Sequence, residues 1–331
     1  MKSSIPFSLL ELASVREEET ITSTFIHSLN YASAADKLGF TRFWLAEHHN
    51  MEGIASSATS VLISHIAANT QSIRVGSGGI MLPNHPPLVI AEQFGTLACL
   101  YPDRIDLGLG RAPGTDPVTA RALRRDLNAA EDFANEVAIL HQLLEPCVPN
   151  QRLKAVPGMG TKVPIWLLGS SLYSAELAAS RGLPYAFAGH FAPRLMREAI
   201  RLYQSQFKPS EQLEKPYVIL GLPVVVAEDQ TKADFLATTS LQRIVSLFRG
   251  EPMWLKPPVD SMDGLWEPQE EVAVNEFLSL AAIGDAQKVE AQLSKLAKEL
   301  NINEFMFTID IYDPQERIRI LERLSELNVS L

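Results

Sequence analysis

Two adjacent imidazoles follow an apolar run in Phe43-Trp44-Leu45-Ala46-Glu47-His48-His49-Asn50. Histidine is the side chain best suited to moving a proton near neutrality, and neutral imidazole is also a common metal ligand. A metal held by this pair is disfavoured, because successive side chains on a strand point to opposite faces, whereas ligand pairs sit at alternate or helical spacing. No metal site is expected. The residues alone leave His48 open between a catalytic role and a hydrogen-bonded supporting one.

Two glycine-bearing segments raise the question of an anion. Gly108-Leu109-Gly110-Arg111-Ala112-Pro113-Gly114 resembles a dinucleotide fingerprint only at a glance: the third glycine is misplaced, and Pro113 and Pro117 keep a helix from starting at once. It reads as a loop with Arg111 as candidate anion ligand, or as the site of an ordinary surface salt bridge. Gly169-Ser170-Ser171 is better placed, since an apolar strand precedes it and a helix from about Leu172 to Gly182 follows. Free amides and the helix dipole at such a start attract anions, and Ser170, Ser171 and Ser174 add hydroxyls. Serine capping is the plainer use of the same residues.

The elements around these residues alternate. Ile5 to Leu10, Phe40 to Ala46, Ile73 to Leu82, Arg104 to Leu109, Val163 to Leu168, Tyr185 to Ala188, Tyr217 to Ala227 and Glu304 to Ile311 read as eight strands. Helical segments lie between them: Thr20 to Lys37, Ser57 to Ala68, Pro86 to Leu100, Glu131 to Leu144, Ala175 to Arg181, Pro193 to Phe207 and Lys232 to Phe248, with Pro314 to Leu327 closing the chain. Eight such units with right-handed crossovers make an α/β fold, a (β/α)8 TIM barrel over residues 1–331, with an open doubly wound sheet as runner-up. Gly250 to Val274 breaks the rhythm with four prolines and Trp254 and Trp266, as an irregular insertion before the last strand and a candidate lid. Gly284 to Leu300 reads as an extra helix.

A barrel places its chemistry at the carboxyl ends of its strands. His48, His49, His85 and His190, four of the seven histidines, fall there, and Phe191 follows His190. The 331 residues carry 29 Lys plus Arg against 39 Asp plus Glu, a net charge of −10, which argues against a nucleic-acid footprint. Hydrophobic residues make up 46%, enough for a sizeable core, yet no run suits a membrane span or a signal peptide, so the expected location is the cytoplasm. Cys99 and Cys147 show no metal or disulfide spacing and are expected to be reduced and structural.

FWLAEHHN, then IRVGSGGIMLPNHPPLVIAEQFGTLACLYPDRIDLGLGRAPG, then VPIWLLGSSLYSAELAASRGLPYAF resemble the bacterial luciferase-like flavin monooxygenase family across the first two thirds of the chain. The resemblance implies a parallel barrel that binds reduced FMN, delivered by a separate flavin reductase, and uses it with molecular oxygen. It implies a catalytic His48 beside the flavin, a cis peptide at Ser77-Gly78 beneath its ring, and phosphate ligands at Arg111, Ser170, Tyr173 and Ser174. Ser171 completes that cradle, His190 and Phe191 would shape the substrate side, and a homodimer is implied. The light-emitting members carry a cysteine where this chain has Gly110 and a glutamate where it has Gly169, which argues against light emission. A deazaflavin-dependent hydride transfer and a non-catalytic flavin-binding protein are the alternatives. The substrate is not legible.

Overall fold

The computed structural model describes residues 4–112, 116–124 and 132–330. Its strands are β1 (Phe7–Glu11), β2 (Arg42–Leu45), β3 (Arg74–Met81), β4 (Ile105–Gly110), β5 (Ile165–Gly169), β6 (Tyr185–Ala188), β7 (Val218–Ala227), β8 (Ala282–Asp285) and β9 (Glu304–Thr308). All pair in parallel. β1 to β7 follow one another round the sheet, and β9 joins β7 to β1 to close an eight-stranded barrel.

The helices are α1 (Ile21–Lys37), α2 (Thr59–Ala68), α3 (Pro87–Leu100), α4 (Pro117–Ala122), α5 (Phe133–Leu144), α6 (Leu172–Arg181), α7 (Met196–Gln206), α8 (Gln230–Arg249), α9 (Pro268–Phe277), α10 (Ala286–Leu300) and α11 (Pro314–Ser325). Sequence chemistry explains their starts. Thr20, Ser171, Asp229 and Asp285 each accept a backbone N–H of the first turn, which would otherwise lack a partner.

Strand alternation divides the core in two. Phe43, Leu45, Ile165, Leu167, Phe187, Phe305 and Phe307 face the helices, while Leu10, Trp44, Trp166, Ala186, Ile219 and Met306 fill the barrel. At the amino end of the barrel the inward residues are charged. The Asp106 carboxylate accepts from Arg42 at 2.7 Å, Arg74 at 2.6 Å and the Trp44 indole at 3.2 Å. Buried Glu304 accepts from Arg42 at 3.0 Å, Tyr217 at 2.8 Å and Ser8.

Four expectations change. The sheet has a ninth strand among the described residues: β7 is long enough to pair with β9 along Ile219–Pro223 and with β8 along Val224–Ala227, so β8 sits outside the barrel and the extra helix begins after it. The 250–274 insertion is not irregular throughout, because Glu267 and Glu270 form a capping box that starts α9 at Pro268. Pro117 does not block a helix but opens α4, where its missing N–H costs nothing and Asp116 caps Val118 and Thr119. Pro113, Gly114 and the expected helix start at Glu131 lie outside the described residues. Cys99 and Cys147 are free and exposed, so neither is a core residue. Among the described residues no helix is long and apolar enough to cross a membrane.

Candidate functional site

Past Leu45 one more backbone bond, from the Ala46 amide to Glu11 O at 2.9 Å, holds the chain to β1, and Glu47 then becomes the tie between strand ends. Its carboxylate is 1% exposed, accepts the Met81 amide at 3.0 Å, and lies 2.8 Å from the Nε2 atoms of both His49 and His85. Burial would raise its pKa, but the hydrogen bonds from His49, His85 and Met81 more than offset this and hold it down at about 2. These donor atoms of Glu47, His49 and His85 all lie within 4.8 Å of one another, so the set could hold an ion. The metal question therefore belongs to His49 with His85, brought together by two strand ends, rather than to the adjacent pair.

His48 turns away from that cluster. Its amide donates to Ser56 O at 3.0 Å, and its Nδ1 is buried with no hydrogen-bond partner among the described residues. Burial first, then the positive charge of Arg243, push its pKa down to about 4. The sequence predicts a group titrating near neutrality; in this setting the ring is neutral at pH 7. His190 behaves alike: burial and the neighbouring His48 push it to about 4, and its Nδ1 also lacks a partner among the described residues. Phe191 packs edge-on against His190 with ring centroids 4.6 Å apart, but it faces outward. There it lines a cavity of about 450 Å³ with Ser170, Arg194, Phe248 and Phe277.

Of the expected anion ligands, Arg111 meets Tyr173, and Ser171 meets Ser174. Arg111, the first residue past β4, lies with its guanidinium 4.3 Å from the centre of the Tyr173 ring at the start of α6. Gly169 brings the end of β5 against that start, since a Cβ there would fall 2.3 Å from Ser174 Oγ. Two of the serines already have work in the fold. Ser171 Oγ accepts the Ser174 amide at 3.5 Å, while Ser174 Oγ donates to Ser171 O at 2.8 Å and lies 3.2 Å from the Tyr185 hydroxyl. Ser170 lines the cavity beside Phe191, and Tyr173 is half-buried against the core.

The cis peptide falls one bond later than expected, at Gly78-Gly79. Ser77 is still in register with Leu107, its hydroxyl donating to Gly108 O at 2.8 Å, and the irregularity in β3 begins only after it. Gly78 is closely packed: a Cβ there would meet Leu10 Cδ1 at 2.5 Å and Trp44 Cβ at 3.1 Å.

Sequence reasoning passed over Arg243, Ser56 and the tying role of Glu47. A signal existed for Arg243, which lies seven residues after Leu236 and four after Thr239, on the buried stripe of α8.

The luciferase-like monooxygenase family matches residues 6–301. A luciferase-like monooxygenase of Escherichia coli (strain K12) is 50% identical over 328 residues, covering 99% of this chain and 98% of that protein. An N-acetyl-S-alkylcysteine monooxygenase of Bacillus subtilis (strain 168) is 29% identical, covering 97% and 98%. Among solved structures, apo-MsnO8 superposes with a TM-score of 0.90 at 35% identity over 98% of both chains. The oxygenating constituent of 3,6-diketocamphane monooxygenase from Pseudomonas putida, in complex with FMN, gives 0.74 at 17% identity over 99% and 98%. An F420-dependent secondary alcohol dehydrogenase gives 0.70 at 15% identity over 98% of both. With a closed parallel barrel whose strand ends carry the paired histidines and the glycines of β3, and with a family match over nearly its whole length, this chain belongs to the luciferase-like monooxygenases.

Proposed function

We propose that the protein is the oxygenase of a two-component system that takes reduced FMN from a separate flavin reductase and oxidises a small organic substrate with molecular oxygen. The observation that carries this reading is the contact of Arg111, past the end of β4, with Tyr173 at the start of α6, with His48 Nδ1 buried and unpartnered among the described residues past the end of β2. The fit to the ring system rests on the bare backbone of β3, since a Cβ at Gly78 or Gly79 would meet Leu10, Trp44 or Gly108 and no side chain projects from these two residues. Bound reduced FMN would supply two electrons for the reaction of oxygen with the substrate.

The protein's own residues divide the work. Arg111, Ser170, Ser171, Tyr173 and Ser174 hold the phosphate by charge and N–H or O–H donation. Ser77 and Gly78 support the ring. His48, neutral at pH 7, presents one nitrogen as acceptor and the other as donor, so it can take or return a proton at its Nδ1. Glu47 fixes the segment on which His48 sits. Water is kept out by the 250–267 segment acting as a lid: Met253 donates to Glu52 O at 3.0 Å and Leu255 to Val15 O at 2.9 Å, across the loops after β2 and β1. His190 and Phe191 border the substrate. A homodimer is part of the proposal, with Val61 and Leu100 of α2 and α3 exposed for it.

FMN is favoured over a deazaflavin because a relative at 50% identity and another at 29% are named monooxygenases, whereas the F420-dependent enzyme shares 15% identity. The phosphate cradle is tested by Arg111→Ala. It should weaken FMN binding by about tenfold or more, as expected for a lost charged hydrogen bond, and leave riboflavin, which lacks the phosphate, nearly unchanged. Equal losses for both would remove Arg111 from the cradle.

A further inference from the structure

Arg243 has no task in the mechanism above, yet it lies in the middle of α8, 1% exposed, at the catalytic end. Nη1 donates to Ser14 Oγ at 2.7 Å and to the Asp310 carboxylate, which ties it to the segments after β1 and β9. The opposite edge is different. Nε and Nη2 are buried and, among the described residues, meet no acceptor.

A guanidinium carries five N–H groups in a fixed fork, and Nη1 accounts for two of them. The remaining three are unsatisfied donors on a charged group. Each neutral instance would already cost about 1–3 kcal/mol, and a charged group more, so such an edge points to an occupant that supplies acceptors. The Nε–Nη2 edge presents two parallel N–H groups, the arrangement that matches the two oxygens of a carboxylate.

The surroundings agree. His48 Nδ1, His190 Nδ1 and Ser56 Oγ are also buried without partners among the described residues. His48 is near enough to Arg243 to feel its charge, and His190 near enough to feel His48. Each of these groups can donate, and the arginine edge can only donate. An apolar ligand would leave all of them unpaired, and a cation would be repelled. Asp310 already balances the guanidinium, so a monoanion fits better than a dianion. The segment after α8 screens the place from bulk water, with Thr239 donating to Lys256 O at 2.9 Å and Gln242 to Pro257 O at 2.9 Å, both within the helical turn that precedes Arg243.

We propose that the substrate carries a carboxylate, received on the Nε–Nη2 edge of Arg243, with its oxidisable part extending toward His48. Naming the ligand as substrate rests on the monooxygenase reading; the anion-binding edge stands without it.

The test uses flavin-free protein and simple probes, butyrate and hexanoate against butyramide and hexanamide, with affinities from calorimetry and ligand-observed NMR. The native protein should prefer each acid over its amide by at least about tenfold, as one charge-assisted contact implies. Arg243→Lys keeps a cation for Asp310 and Ser14 but loses the fork. It should abolish that preference while FMN affinity, measured in parallel, stays unchanged. The native comparison stands whether or not the variant folds: no preference for the acids overturns the proposal. Retention of the preference in a folded Arg243→Lys overturns it too, and so does a loss of FMN affinity with the acid preference intact, which would assign the edge to the flavin. Native protein that prefers the acids yet fails to bind FMN would support the edge and count against the flavin reading instead.

Discussion

At pH 7 the His48 and His190 rings are neutral, because burial outweighs what nearby Glu47 contributes to His48, and Arg243 adds to the same effect. Both groups are less basic folded, at about 4, than the ordinary histidine value of 6.5. Between those values the unfolded chain binds more protons than the folded one. Stability is therefore fully present above about pH 6.5 and is lost as the pH falls toward 4, each group contributing about 1.4 kcal/mol for every pH unit crossed in that window. Urea unfolding at several pH values should show the midpoint falling across that window, and His48→Gln should flatten the slope. An unchanged slope would mean that His48 is not buried in solution. The placement of His48 past a strand end was legible because an apolar run precedes it. That it would be neutral was not, since Arg243 lies 195 positions away in sequence and only the closed barrel brings the two together.

Most elements were legible because their signals are local: Thr20 before a periodic stripe, Pro87 opening α3, Gly182 closing α6. β8 was missed because its four residues, Ala282-Ile283-Gly284-Asp285, carry no alternation long enough to see, and its existence depends on the unpaired half of β7. The helix inside the 250–274 insertion was hidden by proline content, although Pro268 sits at the first helical position, where it is tolerated. At this scale the critical joint is Gly53, with φ +91°, where a Cβ would lie 2.4 Å from the Met253 carbonyl carbon. Gly53→Ala should cost about 1–3 kcal/mol in backbone strain and displace the 250–257 stretch, exposing it to limited proteolysis. Cleavage no faster than in the native protein would show that the stretch is not held against this loop.

For the whole molecule, the alternating βα rhythm was enough to read a barrel, but not what fills it. Arg42, Arg74, Asp106 and Glu304 look like surface charges in sequence, each beside a strand start, and only closure of the sheet turns them inward into one paired layer beneath the site. Asp106→Ala leaves two guanidinium groups short of their carboxylate and should lower stability by about 3–5 kcal/mol in denaturant unfolding. A loss below about 1 kcal/mol would mean that water compensates the layer. That platform packs beneath Trp44 and Trp166 inside the barrel, below the strand ends that carry His48 and Gly78. The claim that these ends receive reduced FMN and govern its reaction with oxygen is tested most directly by anaerobic titration with reduced FMN, followed by rapid mixing with oxygenated buffer while oxidised-flavin absorbance is recorded. The account requires saturable binding and a time course of reoxidation distinct from that of free FMN in the native protein. His48→Ala should still bind reduced FMN but lose that distinction, as the removal of a group worth about 10²–10⁴ in rate implies. Absence of saturable binding, or identical time courses for the native and His48→Ala proteins, would contradict it.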